Sequence, residues 1–353
     1  MSSNGNPCIL YGELYTKYKS EIISEVISKT NIEKNKLKHS KQNDVIIPCS
    51  GETAVDIAVA RCVPFDNVLL GGDLNIIRLH KYDGAFMAYQ LNSKRKIEIA
   101  KLAQGVSVVH LYGENLKSIN TFNPSLQEQQ KIVRLLSLLD ERIKVQNKII
   151  EKLKSLIKGL NNTLQYGTGG KSVCLGDILL ERSERSRTNN QHEVLSSTVK
   201  GIFSQREYFS KDIASENNVG YKIIRLYDVV LSPQNLWMGN INYNDRFEIG
   251  IVSPSYKVFS IADGYDNQFV ASMLKTHRAL YSYMMVSEQG ASIVRRNLNM
   301  EAFSQLVFKI PSLDKQREIG YAISLLKSQL KTANKIIKAY TSQKQYLLRQ
   351  MFI

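Results

Sequence analysis

The chain of 353 residues has few of the features that small stapled domains, metal clusters and membrane spans require. Its four cysteines, Cys8, Cys49, Cys62 and Cys174, never approach C-x-x-C spacing, which argues against a disulfide scaffold or a zinc finger. No apolar run approaches the roughly 18 residues of a membrane helix. The N-terminal MSSNGNPCIL lacks the basic and apolar segments of a secretory signal. We therefore predict a cytoplasmic protein with reduced thiols.

Motifs of catalysis are also missing. The five histidines never form H-E-x-x-H or another ligand spacing, and there is no G-x-S-x-G. The run QYGTGGKS, from Gln165 to Ser172, ends like a P-loop. However, Gln165 stands where the first glycine belongs, and no buried strand precedes it. The sequence predicts no catalytic residue, no metal and no cofactor.

The composition favours a folded protein with a polyanionic partner. With 43% hydrophobic residues the chain can bury a core, and 47 basic against 32 acidic side chains give a net charge of +15. The charge is unevenly distributed, because residues 124–166 and 311–353 carry +4 and +6 while the two remaining segments carry +3 and +2. The excess therefore lies on two segments of 43 residues each.

Those two segments are copies of one another. Placed with an offset of 187, PSLQEQQKIVRLLSLLDERIKVQNKIIEKLKSLIKGLNNTLQY and PSLDKQREIGYAISLLKSQLKTANKIIKAYTSQKQYLLRQMFI are identical at 15 of 43 positions, where chance gives about three. Shorter matches upstream, such as YDGAFMA with YDNQFVA and QGVS with QGAS, extend the repeat. The chain therefore reads as globule, helix, globule, helix, with related but diverged globules.

Each repeated segment has the start signals and the periodicity of a long helix. Pro precedes the first turn in both copies, and Ser125 with Glu128 forms a capping box that the second copy lacks, since Lys315 replaces the glutamate. A heptad seam persists for about four heptads, which favours an antiparallel coiled coil with pseudo-twofold symmetry. About 40 residues would span roughly 60 Å. The alternative is two amphipathic helices, each packed on its own globule. The seam positions are Leu136, Leu139, Ile143, Ile150, Leu153, Ile157, Leu160, Ile323, Leu326, Leu330, Ile337, Tyr340 and Leu347.

The globules, residues 1–123 and 167–310, mix short strand-like and helix-like runs, so we predict an α+β fold. The strand-like runs are Asp44 to Pro48, Asn67 to Leu79, Ile223 to Leu231 and Ser255 to Ile261, and the helix-like runs are Phe86 to Leu102 and Asn267 to Val286.

Turns of both globules are rich in residues that contact bases and phosphates. For any one of these side chains a solvated surface role is equally compatible, so the prediction attaches to the set of turns. The predicted DNA-binding residues are Lys17, Lys19, Ser50, Gly51, Glu52, Thr53, Gln104, Gly105, Ser107, Arg182, Arg185, Arg187, Gln234, Asn235, Trp237, Gln289, Gly290, Ser292, Arg295, Arg296 and Asn297.

Two diverged globules, each followed by a PSLxxQ-initiated heptad helix, resemble the specificity subunit of type I restriction-modification enzymes. The PSLQEQQKI…LLSLLDERI…NKIIEKLK stretch is the most specific part, and LGDI at residues 175–178 resembles the opening of a target-recognition domain. The resemblance implies target-recognition domains at 1–123 and 167–310 and spacer helices at 124–166 and 311–353. It also implies a non-catalytic subunit.

In that family each recognition domain would bind one half of a bipartite, asymmetric site on double-stranded DNA. The helix pair would set the unread spacer and dock two methyltransferase subunits, and restriction (translocase-nuclease) subunits would join the complex. S-adenosylmethionine and ATP would be bound by those partners. A departure from the family lies at the N-terminus, since two full repeats need 374 residues and the chain has 353. We expect the first domain to lack its opening strand.

Two other functions remain open from the residues alone. One is a stand-alone DNA-binding or architectural protein that reuses the same modules. The other is the recognition region of a fused restriction-modification enzyme. Co-purification with methyltransferase subunits separates the first of these from a specificity subunit, and a catalytic domain encoded upstream would support the second.

Overall fold

Both predicted long helices are present in the computed structural model, which describes residues 4–166, 170–208, 217–289 and 296–352. The chain divides into two compact units. Unit 1 contains residues 1–149 and 333–353, and unit 2 contains residues 150–332. Each unit therefore combines one globule with the beginning of the helix that follows it and the end of the other helix.

The elements of the first half of the chain are mostly short. The strands are β1 Asn6–Ile9, β2 Ser28–Thr30, β3 Lys38–His39, β4 Asp44–Pro48, β5 Ser50–Gly51, β6 Arg61–Val63, β7 Leu69–Leu70, β8 Leu74–Ile77 and β9 Val109–His110; the helices are α1 Glu13–Thr16, α2 Ala54–Ile57, α3 Gly84–Asn92, α4 Arg95–Lys101, α5 Gly113–Leu116 and the long α6 Leu126–Tyr166. A single 3₁₀ turn covers Lys34–Lys36.

The second half repeats this alternation. Its strands are β10 Lys171–Cys174, β11 Leu179–Arg182, β12 Leu195–Thr198, β13 Gly201–Ser204, β14 Lys222–Arg225, β15 Val229–Leu231, β16 Ile241–Tyr243, β17 Ile249–Val252, β18 Lys257–Ile261, β19 Ser287–Gln289, β20 Arg296–Leu298 and β21 Val307–Ile310. Its helices are α7 Leu175–Ile178, α8 Gln205–Tyr208, α9 Asn267–Met273, α10 His277–Met285, α11 Met300–Ser304 and the long α12 Leu313–Met351, with a 3₁₀ turn at Leu236–Met238.

Each globule contains a small antiparallel sheet with one strand, here called the central strand, that is buried along its whole length. In globule 1 the order is β6-β4-β8, and β4 is buried along its whole length. In globule 2 the order is β11-β18-β15-β16, with β15 buried throughout. Helices α3 and α9 supply Phe86 and Phe269, each nearly inaccessible to solvent, at equivalent places in the repeat. The predicted α+β architecture and the kinship of the globules are confirmed.

The two sheets differ at one edge. Strand β18 is covered by β11, with which it pairs from Leu179↔Ile261 to Arg182↔Val258. Its counterpart β8 pairs with β4 on one side only, and within the described residues no strand of globule 1 takes the place of β11. The missing opening strand of the first domain stays a prediction, and this open edge is the feature that corresponds to it.

Several predicted runs are interrupted where the backbone turns. The run Ile223 to Leu231 is two strands, because Tyr227 adopts a left-handed conformation with φ of 75° between them. The run Asn67 to Leu79 is likewise split, at Asp73 with φ of 58°. The helix predicted over Asn267 to Val286 is two helices, since Thr276 caps α10 by accepting a hydrogen bond from the Ala279 N–H. Similarly, α3 ends at Asn92 and α4 begins at Arg95.

Each long helix is fixed to its globule by a buried glutamine of the PSLxxQ motif. The Asp83 N–H donates to Gln129 Oε1 (2.9 Å), and Gln129 Nε2 donates to the Pro124 carbonyl (2.8 Å). In the second copy Gln316 makes the same two bonds, at 3.0 and 2.9 Å, to Asp266 and Pro311. Both glutamines are almost fully buried.

The two aspartates in these contacts have a second task. Asp83 and Asp266 cap α3 and α9, because their Oδ1 atoms accept from the Phe86 and Phe269 N–H groups (2.9 and 2.8 Å). The side chain of each aspartate therefore caps a globule helix, while its backbone N–H binds the glutamine of the long helix. The predicted capping box of α6 is also present, since Ser125 and Glu128 exchange backbone and side-chain bonds.

Within unit 1 the two long helices run antiparallel. Gln146 Nε2 donates to the Ala333 carbonyl (3.3 Å), and further along Arg142 Nη1 donates to Tyr340 Oη (3.2 Å). Gln146 and Ala333 are equivalent residues of the two repeats, as an antiparallel pair of like helices requires at its midpoint. All the predicted seam residues are buried or half-buried.

No helix of the described residues is long and apolar enough to cross a bilayer.

Replacing Gln129 with alanine should destabilise unit 1. The Asp83 N–H would lose its only acceptor in the α6 segment, and an unsatisfied buried donor costs about 1–3 kcal/mol. Urea unfolding of the full chain measures the loss. The matched control is Gln127→Ala, an exposed residue of the same helical turn, which should change the free energy of unfolding by less than about 0.5 kcal/mol. Equal effects of the two substitutions would contradict the assignment.

Candidate nucleic-acid interface

In globule 2 the predicted base-contacting turn follows the buried strand β15. The Ser232 N–H donates to the Asn240 carbonyl (3.0 Å) and closes the turn. Leu236 is completely buried and anchors it in the core. Gly239 has φ of 94°, a conformation that glycine adopts without strain. With its ends and middle held this way, the turn presents Gln234 to solvent and leaves Trp237 half-buried.

A hairpin formed by β19 and β20 lies against this turn. Gln289 pairs with Arg296 across the hairpin, and the Arg296 N–H donates to the Gln234 carbonyl (3.1 Å). The Arg296 guanidinium lies over the Trp237 ring, 5.3 Å from its centroid. The structure thus brings together predicted residues that are about 60 positions apart in sequence, since Gln234, Trp237, Gln289 and Arg296 occupy one surface.

Two polar atoms on this surface have no hydrogen-bond partner within the described residues. They are Asn235 Oδ1 and Arg296 Nε, both inaccessible to solvent. The remaining guanidinium contacts are long, since Arg296 Nη1 reaches the Ser287 and Met284 carbonyls at 3.4 and 3.5 Å. Native proteins satisfy most such groups. Arg296 therefore keeps donor capacity that the described part of the chain does not use.

Globule 1 repeats the arrangement with different side chains. Strand β5, in the turn after β4, pairs with β9 through Ser50↔His110 and Gly51↔Val109. His110 and Gln104 exchange backbone bonds of 2.7 and 2.9 Å, as Arg296 and Gln289 pair in globule 2. By the repeat alignment Ser50 corresponds to Gln234 and Gln104 to Gln289. In both globules the turn after the central strand is therefore joined to the strand that follows a Gln-Gly pair in the sequence.

Gly105 is required by the geometry of this second turn. Its φ is 120°, and a Cβ atom would lie 2.2 Å from the Val108 carbonyl oxygen. The loop that follows is exposed, including Ser107 and Val106, the latter 98% exposed. Nearby, Thr53 caps α2 by accepting from the Asp56 N–H (3.2 Å), and Glu52 is exposed.

Two exposed residues of this surface are not among the DNA-binding residues predicted from the sequence. His110 and Tyr112 are exposed, and their rings stack with centroids 6.4 Å apart and planes 21° apart. Sequence reasoning assigned His110 a surface or structural role and gave Tyr112 none. The available signal was their alternation along QGVSVVHLY, which places both side chains on the same face of an extended segment.

Other predicted residues are already engaged in ion pairs or lie elsewhere. Lys17 pairs with the buried Glu13 (2.7 Å), and Lys19 is exposed. Arg185 Nη1 donates to the Gly220 carbonyl (2.9 Å), and the exposed Arg187 makes a backbone bond to Gln191. Asn297 is exposed on β20. The predicted residues Gly290, Ser292 and Arg295 lie outside the described residues, as do residues 167–169 of the P-loop-like run.

Arg182 has a structural environment. Its Nη1 lies 3.0 Å from Asp228 Oδ1 and its Nη2 lies 3.0 Å from Glu184 Oε2. Asp228 is buried at the start of β15, and burial raises the pKa of its carboxyl while Arg182 and Arg225 lower it. In globule 1 the equivalent Asp44 is held by Arg78 (2.8 Å). Each central strand therefore begins at a buried aspartate neutralised by an arginine.

The described residues contain no cluster of three or more histidine, cysteine or carboxylate side chains that could hold a metal ion. The burial of Cys62 raises the pKa of its thiol to about 12. Such a thiol is a poor nucleophile at neutral pH. The two surfaces instead carry exposed amides, hydroxyls and aromatic rings and the carboxylate of Glu52, with Arg296 and Trp237 half-buried. The amides, hydroxyls and rings bind through hydrogen bonds and stacking.

Comparisons with known proteins show what the first part of the chain resembles. Residues 2–155 match the family described as type I restriction modification DNA specificity domain. The match lies within the first 155 residues, less than half of the chain, and over this part the sequence resembles that family. It is 29% identical over 134 residues to a protein of Haemophilus influenzae described as a type I restriction enzyme specificity subunit, S.HindORF215P. That match covers 38% of this chain and 32% of the relative, so it spans about a third of the relative's length.

A solved structure shows the same fold over nearly the whole chain. The type I restriction-modification S subunit from M. genitalium aligns with a TM-score of 0.62 at 18% identity, covering 99% of this chain and 92% of that one. At this identity the likeness concerns the fold. The alignment spans both globules and both long helices of this chain.

Replacing Arg182 with glutamine should lower stability in a pH-dependent way. Asp228 would keep its burial and lose a cation, so its pKa should rise further above the unfolded value. A carboxyl whose folded pKa is raised costs stability as pH increases through that pKa. We therefore expect urea unfolding to show a larger loss at pH 8 than at pH 4.5.

The control for this prediction is Arg187→Gln, which removes the same charge from an exposed side chain. It should leave stability nearly unchanged at both pH values. A loss of DNA affinity in Arg182→Gln without loss of stability would show instead that Arg182 is a DNA contact.

Proposed function

We propose that the chain is the DNA-recognition component of a type I restriction-modification complex, in which each globule reads one half of a bipartite, asymmetric site on double-stranded DNA. The observation that carries the proposal is the repeated surface. In each globule the turn after the central strand is hydrogen-bonded to the strand that follows a Gln-Gly pair in the sequence. The scaffold is shared while the exposed side chains differ, as two modules that read different sequences require.

The side chains on the surface of globule 2 suit contacts with base edges. Gln234 and Gln289 have amide groups that pair with adenine, and Arg296 has the donor fork that pairs with guanine. Trp237 limits the orientation of the guanidinium by stacking beneath it. On globule 1 the corresponding surface holds Gln104 and the His110–Tyr112 pair, while Ser50 is buried and its hydroxyl donates to Asp73 Oδ2 (3.0 Å). The net charge of each globule is small, so specificity would come from these polar contacts.

The long helices would set the unread spacer and bind the methyltransferase subunits. Support for docking comes from apolar side chains that the helix pair leaves uncovered in unit 1. On α6 these are Leu135, Leu138, Val145 and Ile149, all between 42% and 56% exposed. They occupy the g and c positions of the heptad whose a and d positions form the seam, so they share one face of the helix. A contiguous exposed apolar face is typical of a partner interface.

Arg296→Ala should weaken binding to DNA that carries the full site by about 1–3 kcal/mol, roughly fivefold to 150-fold, as expected for loss of an arginine–base contact. Methylation mapping in cells that contain the partner subunits gives the site, both half-sites and the spacer. The variant should relax only one half-site. Lys309→Ala, an exposed charge on β21, serves as the control and should preserve specificity. Unchanged specificity in Arg296→Ala would contradict the assigned surface.

Val145→Glu should reduce co-purification of the methyltransferase subunits, because a carboxylate would be buried in an apolar interface. DNA binding by the free chain should be unaffected. Asn147→Glu introduces the same charge at an exposed position two residues away and should leave the complex intact. Equal amounts of complex with both variants would show that this face of α6 is not the docking site.

A further inference from the structure

The end of α12 enters unit 1 through a buried ionic cluster. Lys344 Nζ lies 2.5 Å from both Glu21 Oε2 and Asp140 Oδ1. The three side chains are only 10–13% exposed. Tyr89 donates its hydroxyl proton to Asp140 Oδ2 (2.7 Å). Burial and then the charge of Asp140 raise the pKa of Tyr89, so the phenol stays protonated.

Apolar contacts surround this cluster. Phe352, the second-last residue, is 5% exposed and packs on Phe86 with ring centroids 5.3 Å apart. Leu136 belongs to the same hydrophobic group. The Ser93 hydroxyl donates to the Leu348 carbonyl (2.9 Å). The C-terminal segment, residues 344–352, is therefore part of the core of globule 1, although it is joined to it in sequence only through unit 2.

The equivalent segment of α6 has a different sequence at these points. In the repeat alignment Lys344 corresponds to Ile157 and Phe352 to Gln165. Docked on globule 1 in place of α12, that segment would remove the cation that contacts both Glu21 and Asp140, although the charge of Arg61 lies nearby. Removing one partner from a buried ion pair strongly destabilises it. The α6 segment is therefore a poor substitute.

Unit 2 is unsuited to the C-terminal segment for the opposite reason. Lys327 stands at the position equivalent to Asp140, and its Nζ donates to Ser272 Oγ (3.3 Å), where unit 1 has Asp140 and Tyr89. Desolvation of the Lys275 ammonium group, and then the charge of nearby Lys327, lower the pKa of Lys275 to about 8. Much of the Lys275 side chain is nevertheless at the surface. Asp245 is the acid that offsets Lys327. A further lysine would meet like charge here.

We propose that the ion pairs among Glu21, Asp140 and Lys344 determine which helix segment docks on globule 1. They make the C-terminal segments of α6 and α12 non-interchangeable. Globule 1 accepts the C-terminal segment of α12, from its own chain or from a second copy, and rejects the equivalent segment of α6. Within one chain the high effective concentration favours self-docking. The carboxylates of unit 1 then disfavour docking of the α6 segment on globule 1, and the lysines of unit 2 disfavour docking of the α12 segment on globule 2. Repulsive elements have this effect in other specific interfaces.

The first test uses single variants of the full chain. Lys344→Glu places a third carboxylate beside Glu21 and Asp140, and it should accelerate amide hydrogen exchange in residues 344–352 on the order of a hundredfold or more. Lys344→Ile, which copies α6, should act in the same direction with a smaller effect. The matched control is Lys338→Glu, the same change at an exposed position of α12, and it should leave that exchange unchanged.

The second test is complementation between two full-length variants, Lys344→Glu and Asp140→Lys. When the two chains exchange C-terminal segments, the introduced glutamate of one meets the introduced lysine of the other, and the unchanged Lys344 meets the unchanged Asp140. We expect a heterodimer of about 80 kDa, twice the 40.1 kDa of one chain, by light scattering after gel filtration. Lys338→Glu mixed with Asp140→Lys should give none.

Each outcome is decisive. Protection of residues 344–352 in Lys344→Glu equal to that in Lys338→Glu would overturn the proposal. Failure of the complementary pair to form the heterodimer while each variant alone loses protection would also overturn it, because the cluster would then stabilise the fold without selecting a partner. Since neither readout involves DNA, these results are independent of the proposed reading function.

Discussion

The rest of the structure depends on one buried amide in each repeat. Gln129 and Gln316 each join the first turn of a long helix to the capping aspartate of a globule helix. A glutamine side chain can donate and accept at once, and both bonds are made where water is excluded. The entry angle of the helix is therefore tied to the sheet on which the globule helix packs.

The helix pair combines two kinds of specificity. Apolar a and d residues give affinity between the helices without identifying the partner, as in other coiled coils. Polar groups at a few seam positions add discrimination, since Gln146 marks the midpoint and Lys344 marks one end. Because the two halves of the chain are alike, alternative pairings of the helices would have nearly the same apolar seam. The polar seam residues favour the observed pairing over these alternatives.

Sequence reasoning predicted what repeats and periodicity encode. The long helices and the capping box of Ser125 were accessible, because each depends on local pattern or on comparison of the copies. The breaks at Tyr227 and Asp73 were not, since non-glycine residues seldom adopt positive φ and carry no local signal. The ion pair of Arg182 with Asp228 was also hidden, because its partners are 46 residues apart. Charge composition counts Arg182 as a basic residue but does not predict that it forms an ion pair with a carboxylate distant in sequence.

The placement of Trp237 gives the molecule an intrinsic optical reporter. It is the only tryptophan of the chain and lies half-buried beneath the guanidinium of Arg296. Its emission therefore originates from a single face of globule 2, and the nearby cation makes it sensitive to displacement of that arginine. Occupancy of one half of the molecule is thus spectroscopically separable from occupancy of the other, without any label.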